Sequence, residues 1–424
     1  MDTNNPKLPV PKPNAPSIAE KLFVIMALLL STGAFLNLST ERIGDESGLA
    51  GMQFLWTLVY IVIIFLQVRH GRETWRLIRN EFWLIALLGL VLSSVYWSDD
   101  PTVTLRRAIA LIGTTLFGFY LGQRYTLREQ LRLLAVVFLI SAVMSILFQL
   151  LGLGTAVDEG VPGWIGIYVQ KNQLGEYMAM ATLVFLIIYR SDSAYRSLAV
   201  TGTVLSGFLL LFSRSMTAVV VLGLVLFVLF PIRRILTGSY RRILLAAAII
   251  VPVCCWGAVW AFRNIDRVTG VIGKDPTLSG RLPLWVLSAF MALQRPWLGY
   301  GYNAFWRGKE GASAAIWRVL KWNPPHSHDG FLELWLGIGL FGCCLFLVGF
   351  LFYVRRAVLL IRRSELLHSA WPFVFLAWLF VSNLTEANLM SRNNLFWIQY
   401  VAVGVTSARY LSDSTENANP HECS

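Results

Sequence analysis

The chain has 424 residues, 56% of them hydrophobic and 14% charged, with a mean hydropathy of +0.60. A soluble globular domain carries about 25% charged residues, so this composition excludes that class and calls for a membrane-embedded bundle. The net charge of +12 sits mostly in short loops between apolar runs, where membrane topology accounts for it and nucleic-acid binding does not.

Residues Met1 to Ala19 hold Pro6, Pro9, Pro11, Pro13 and Pro16 and little apolar content. This is expected to be a disordered cytoplasmic tail, residues 1–20. No small-residue cleavage site follows the first apolar run, so that run should remain as a span rather than be removed as a signal peptide. A spanning helix needs about 20 mostly apolar residues. Twelve such runs can be read, at about 21–38, 51–68, 82–97, 104–122, 131–152, 173–190, 197–213, 215–231, 242–262, 328–354, 369–384 and 394–410. The breaks at Arg214 and near Ser94 are the least marked. No segment alternates with a period of two, which argues against an outer-membrane barrel. The expected fold is therefore an all-α polytopic membrane protein of about 12 transmembrane helices. Its parts would be nine spans within 21–262, one long periplasmic loop over 263–327 carrying amphipathic helices, three spans within 328–410, and a cytoplasmic tail at 411–424.

Every second loop is basic: Arg69, Arg72, Arg76 and Arg79; Arg124, Arg128 and Arg132; Arg190 and Arg196; Arg233, Arg234, Arg241 and Arg242; Arg355, Arg356, Arg362 and Arg363. Positive residues mark cytoplasmic loops, so these loops and both termini are expected in the cytoplasm. The remaining loops are acidic or mixed, with Glu41, Asp45 and Glu46, then Asp99 and Asp100, Asp158 and Glu159, and Glu386. The five cysteines include two vicinal pairs inside apolar runs and form no metal-ligand or disulfide pattern.

Cations are few on the outer side, so each needs a reason. Arg214 lies between two apolar runs with almost no loop, where it either meets an anion or snorkels to the interface. A guanidinium presents a planar fork to phosphate oxygens. Arg281 follows Ser279-Gly280 and opens an amphipathic segment, Leu282 to Leu293, with Trp285, Phe290, Met291 and Leu293 placed for a helix along the membrane. It suits an anion near free helical amides or a solvated helix end. Lys171, with Asn172, and Arg107, with Arg106, stand at two further outer entries. Four outer cations drawn together would suit a pyrophosphate. Asp99-Asp100 reads as a solvated loop, because adjacent carboxylates point apart and no further cluster supports a metal. Gly299-x-Gly301 reads as a turn, since no strand precedes it.

His326 and His328 sit directly before a span. An imidazole there serves as general base, as a substrate contact, as a loop hydrogen-bonding group, or as half of a metal pair. Asp329 or Glu333 would orient the ring. Glu386, Arg392 and Asn393, in the last outer turn, are placed to help.

In order, the chain carries Ser213-Arg214-Ser215, Ser279-Gly280-Arg281-x-x-x-Trp285, Arg295-Pro296-x-x-Gly299-x-Gly301-x-x-x-Phe305 and His326-x-His328-Asp329-x-x-Leu332, with Gly337-x-Gly339-x-x-Gly342. With Trp97-Ser98-x-Asp100-Pro101, Thr104-Leu105-Arg106-Arg107, Gly166-x-x-x-Gln170-Lys171-Asn172-x-Leu174-Gly175 and Thr385-Glu386-x-Asn388, it resembles the O-antigen ligase and Wzy-type polysaccharide polymerase superfamily. The exopolysaccharide polymerase branch is the nearer in these motifs. One departure is Asp329, where family members often have Asn. The resemblance implies a metal-independent, inverting glycosyltransferase of the bacterial inner membrane that works at the periplasmic face and needs no cofactor. Its donor would be an undecaprenyl-pyrophosphate-linked oligosaccharide and its acceptor a glycan hydroxyl. Other polysaccharide assembly and chain-length proteins would be partners. By position, Arg214 and Arg281 would hold the pyrophosphate, with Lys171 and Arg107 adding charge. His328 would activate the acceptor, His326 being the second choice, with Asp329, Glu333 and Glu386 supporting. The alternatives are a ligase that transfers the glycan to lipid A core and, from another class, a transporter or flippase. Transport fits less well, because no matched pair of broken spans recurs in two halves.

Overall fold

The computed structural model describes residues 16–34, 47–69, 71–153, 155–156, 163–238, 280–308, 311–320, 322–364 and 366–416. The expected span at 242–262, loop residues 263–279 and both chain ends lie outside them. The first half contains α1 (Ile18–Ser31), α2 (Ser47–Arg69), α3 (Gly71–Arg79), α4 (Phe82–Ser93), α5 (Pro101–Arg124), α6 (Leu127–Leu150), α7 (Lys171–Ser191), α8 (Arg196–Phe212) and α9 (Met216–Leu236). The second contains α10 (Arg281–Gln294), α11 (Ser313–Leu320), α12 (Gly330–Arg363), α13 (Trp371–Ser382) and α14 (Leu395–Glu416). A two-residue antiparallel ribbon, β1 (Thr155–Ala156) with β2 (Gly163–Trp164), pairs Thr155 with Trp164.

A helix lies on each expected apolar run within the described residues. Among the described residues, five helices, at 51–69, 127–150, 171–191, 193–212 and 330–363, are long and apolar enough to cross a membrane. The protein is a multi-pass, all-α membrane protein. Its helix ends follow local chemistry. Thr126 and Glu129 form a reciprocal capping box at the start of α6. Asp100 caps α5 ahead of Pro101, whose missing N–H costs nothing in the first turn.

Close backbone approach sets the core. On α5, Gly118 and Gly122 face α14, and a Cβ at Gly118 would stand 2.6 Å from the Val401 Cβ and 2.7 Å from the Ile398 carbonyl. Helices in lipid gain by such contact, because water expulsion does not drive them together. One end of the bundle is fastened by ion pairs: Glu20 with Arg124 at 2.8 Å, Arg132 with Asp192 at 2.6 Å, and the buried Glu81 with Arg356.

At the other end α12 is broken. Gly339, inside it, has φ 68° and ψ −173°, a backbone region that essentially only glycine occupies. The segment 295–301 fills the break. The Leu340 and Phe341 amides donate to the Pro296 and Trp297 carbonyls at 2.8 and 3.3 Å, and Tyr300 N–H donates to Leu336 O at 2.8 Å. Asp99 and Asp100 are not simply solvated. Arg295 pairs with Asp99 at 2.6 Å and Arg307 with Asp100 at 3.4 Å, which locks this segment to the start of α5.

Candidate active site

Five segments meet at the broken end of α12: 97–101, 213–215, 295–308, 326–329 and 383–394. All the non-glycine residues with positive φ among the described residues lie in them: Arg214, Asn303, His328, Met390 and Asn393. Such conformations cost about 1–3 kcal/mol each and persist only where the surroundings impose them.

α10 supplies the first candidate side chains. Gly280, at φ 80°, lets the chain turn into the helix. Arg281 and Trp285 are one turn apart and share a face. Arg281 donates through Nη1 to the Thr385 carbonyl at 2.6 Å and through Nη2 to Glu386 Oε1 at 2.9 Å. Trp285 Nε1 donates to the Ser327 carbonyl at 3.0 Å. The arginine and tryptophan of this motif therefore tie the 383–394 turn and the histidine turn to one helix.

The histidine turn is held from two sides. Glu333 accepts the Ser327 amide at 2.5 Å and Trp306 Nε1–H at 2.7 Å. Asp329 caps α12 by accepting the Phe331 and Leu332 amides, both at 2.9 Å. The expectation that Asp329 or Glu333 orients an imidazole is corrected here, because both carboxylates are engaged by helix and loop donors. The carboxylate beside His328 is Glu386, whose Oε2 stands 3.8 Å from His328 Nδ1. That distance is within ion-pair reach and longer than a hydrogen bond, and Nδ1 is buried with no hydrogen-bond partner among the described residues. Burial by itself raises the Glu386 carboxyl, but His328 and Arg281 beside it outweigh that and hold it below the ordinary carboxylate range.

His326 has a different character. Its Nδ1 accepts the His328 amide at 3.2 Å, so the neutral ring carries its proton on Nε2. Burial first, and then His328, push its pKa down to about 4. His326 lines a cavity of about 260 Å³ together with Arg107, Asn303, Trp306, Glu333 and Arg392.

Arg214 follows α8 at φ 53° and is exposed. Its neighbour Ser215 lines a narrow gap with Asn172, Glu176, Thr385 and Glu386, so Arg214 sits next to the turn that Arg281 binds. Lys171 begins α7 beside this gap, and its stem lies against Gly163. Arg107 stands on the other side of the site and donates through Nη1 to the Asn303 carbonyl. The structure thus gathers Arg281, Glu386, His326 and His328, places Arg214 and Lys171 beside them, and puts Arg107 across the 260 Å³ cavity.

Glu176 was not singled out from the sequence. Its Oε1 accepts Asn388 Nδ2 at 2.8 Å, and it shares the gap with Glu386. The available signal was a carboxylate inside the first two turns of an apolar run, where it must face protein or a cavity. Among the described residues, no group of three or more His, Cys, Asp or Glu could hold a metal ion.

Residues 198–347 match the family model described as O-antigen ligase. Over this stretch the chain is similar to O-antigen ligases. The matched stretch holds Arg214, Arg281, Trp285 and both histidines, and it ends within α12, so Glu386 lies beyond it. The exopolysaccharide production protein ExoQ of Rhizobium meliloti (strain 1021) is 24% identical over 339 residues, covering 77% of this chain and 74% of that protein. Both likenesses are to proteins whose names refer to bacterial polysaccharides.

Proposed function

We propose that the protein is an inverting, metal-independent glycosyltransferase. It moves a glycan from undecaprenyl pyrophosphate to a sugar hydroxyl at the periplasmic face of the inner membrane and so polymerises exopolysaccharide or O-antigen repeat units. The observation that carries this reading is the contact series Arg281–Glu386–His328, built from three segments distant in sequence. In this orientation both termini are cytoplasmic and the 263–327 loop is periplasmic.

His328 is the base. With Nδ1–H turned to Glu386, the Nε2 lone pair takes the proton of the acceptor hydroxyl. The freed oxygen forms a bond to the anomeric carbon from the face opposite the leaving group. The bond from that carbon to the pyrophosphate oxygen breaks, and undecaprenyl pyrophosphate departs with the electron pair. Arg281 uses two N–H donors on Thr385 and Glu386, and a guanidinium has five, so donors remain for phosphate. Arg214 and Lys171 add charge from the adjoining turn. Fixed guanidinium groups stabilise the developing charge as a metal would. His326 has its pKa pushed down to about 4 and its Nδ1 occupied by the His328 amide, and it acts as a hydrogen-bond donor through Nε2.

A ligase shares this chemistry and differs only in its acceptor, and the O-antigen ligase match favours it as the second reading. Incubating the purified protein with an undecaprenyl pyrophosphate oligosaccharide separates the two. Longer lipid-linked chains support the polymerase, and glycan moved only to added lipid A core supports the ligase. Release of neither product contradicts both. Activity should survive EDTA, whereas loss that zinc restores would show that a metal is needed.

A further inference from the structure

We infer that the protein holds a second lipid diphosphate, the carrier of the acceptor glycan, in a cavity on its flank. This rests on the reading that Arg214 and Arg281 hold the donor diphosphate. The cavity measures about 700 Å³ and lies between α1, α2, α5 and the starts of α7 and α14. Its walls have two characters. Trp56, Ile61, Ile64 and Ile109 make an apolar trough, and the three isoleucines are exposed on the outside of the bundle, so the trough opens where acyl chains lie. At its head stand Arg106, Arg107 and Arg392.

These arginines are held ready for an anion. Arg107 Nε–H is buried with no partner among the described residues, while its Nη1 is anchored on Asn303. No carboxylate pairs with Arg106 or Arg392 among the described residues, and the two side chains crowd charge onto Arg107. The Arg392 turn is fixed from behind. Tyr60 Oη donates to the Asn393 side chain, and the Asn393 amide donates to Thr114 Oγ1 at 2.9 Å. Three converging guanidinium groups over an apolar trough match a diphosphate on a long hydrocarbon and match neither a neutral lipid nor a free sugar.

The cavity also leads to the reaction centre. Arg107 and Arg392 line both it and the 260 Å³ cavity that contains His326. That inner space is bordered by Asn303, Trp306 and Glu333, groups suited to sugar hydroxyls and ring faces. A glycan carried on the flank-bound diphosphate would therefore run inward past Arg107 to the histidine turn. A site of this kind is needed only if the acceptor is itself carried by a lipid diphosphate, which is what chain polymerisation requires and transfer to a lipid A core does not.

The experiment counts farnesyl diphosphate bound to the full-length protein in detergent by native mass spectrometry, with affinities from calorimetry. Wild type is expected to bind two equivalents. Arg106→Gln with Arg392→Gln should retain one and weaken the other by about tenfold per arginine lost. The retained equivalent shows that this variant is folded. Inorganic pyrophosphate should compete poorly for the flank site. A single equivalent in wild type, two unweakened equivalents in the double variant, or equal binding of inorganic pyrophosphate would overturn the inference. Arg281→Gln should lose the other equivalent. If it keeps both while the double variant loses one, the donor assignment fails and the flank site stands.

Discussion

At His328 the backbone is left-handed, φ 54°, and the strain is maintained by bonds to Ser327 on one side and α12 on the other. This fixes Nδ1 toward Glu386. Replacing Glu386 with Gln keeps the shape and removes the charge. Turnover should fall on the order of 10²-fold. Unchanged turnover would limit Glu386 to fixing the turn. His326 gives a separate signature. Its folded pKa, about 4, lies below its ordinary 6.5, so between those values the unfolded chain binds the proton that the folded one resists. Stability should be complete above about pH 6.5 and decline by about 3 kcal/mol as pH falls to 4. Thermal unfolding followed by tryptophan fluorescence across that range should show the slope in wild type and lose it in His326→Gln. The sequence marked both histidines, Arg281 and Glu386. It did not show which carboxylate faces an imidazole, because Asp329 is nearer in sequence yet caps a helix, whereas Glu386 comes from a turn 58 positions on.

Among the elements, α10 was legible and α12 was only half so. Apolar spacing after Gly280 gave the helix, and the one-turn interval gave the shared face of Arg281 and Trp285. The start of α12 follows from its Asp cap. Its break does not follow from Gly337-x-Gly339-x-x-Gly342, because several spans here carry glycines without breaking. The break requires the 295–301 segment, which reaches it through long-range hydrogen bonds. Gly339→Ala therefore tests the joint. A Cβ there would stand 2.1 Å from the Trp297 carbonyl oxygen, and the backbone alone costs about 1–3 kcal/mol. A lowered unfolding midpoint and weakened activity are expected together, and an unchanged midpoint would mean that the segment is not wedged there. At the opposite end, Arg356→Ala would leave Glu81 buried without its cation. A loss of about 3–5 kcal/mol is expected in the same melt.

In the whole molecule, the site arises from the bundle bringing remote turns together. Composition and the placement of Arg and Lys gave the class and most helices, since those properties are local. Convergence is not local: Arg107 reaches Asn303 across 196 positions and Asn388 reaches Glu176 across 212, and no periodicity reports such pairs. The stretch similar to O-antigen ligases ends within α12, yet Glu386 and Arg392 lie beyond it, so the proposed chemistry requires the last two helices to be docked. The most direct measurement is chain extension by the purified protein on an undecaprenyl pyrophosphate oligosaccharide, comparing wild type with Arg281→Ala and His328→Ala. Both variants should remain folded in the membrane, Arg281→Ala with a lowered unfolding midpoint because Glu386 loses its cation, and both should form no polymer. Full polymer formation by either variant would contradict the assignment of the site.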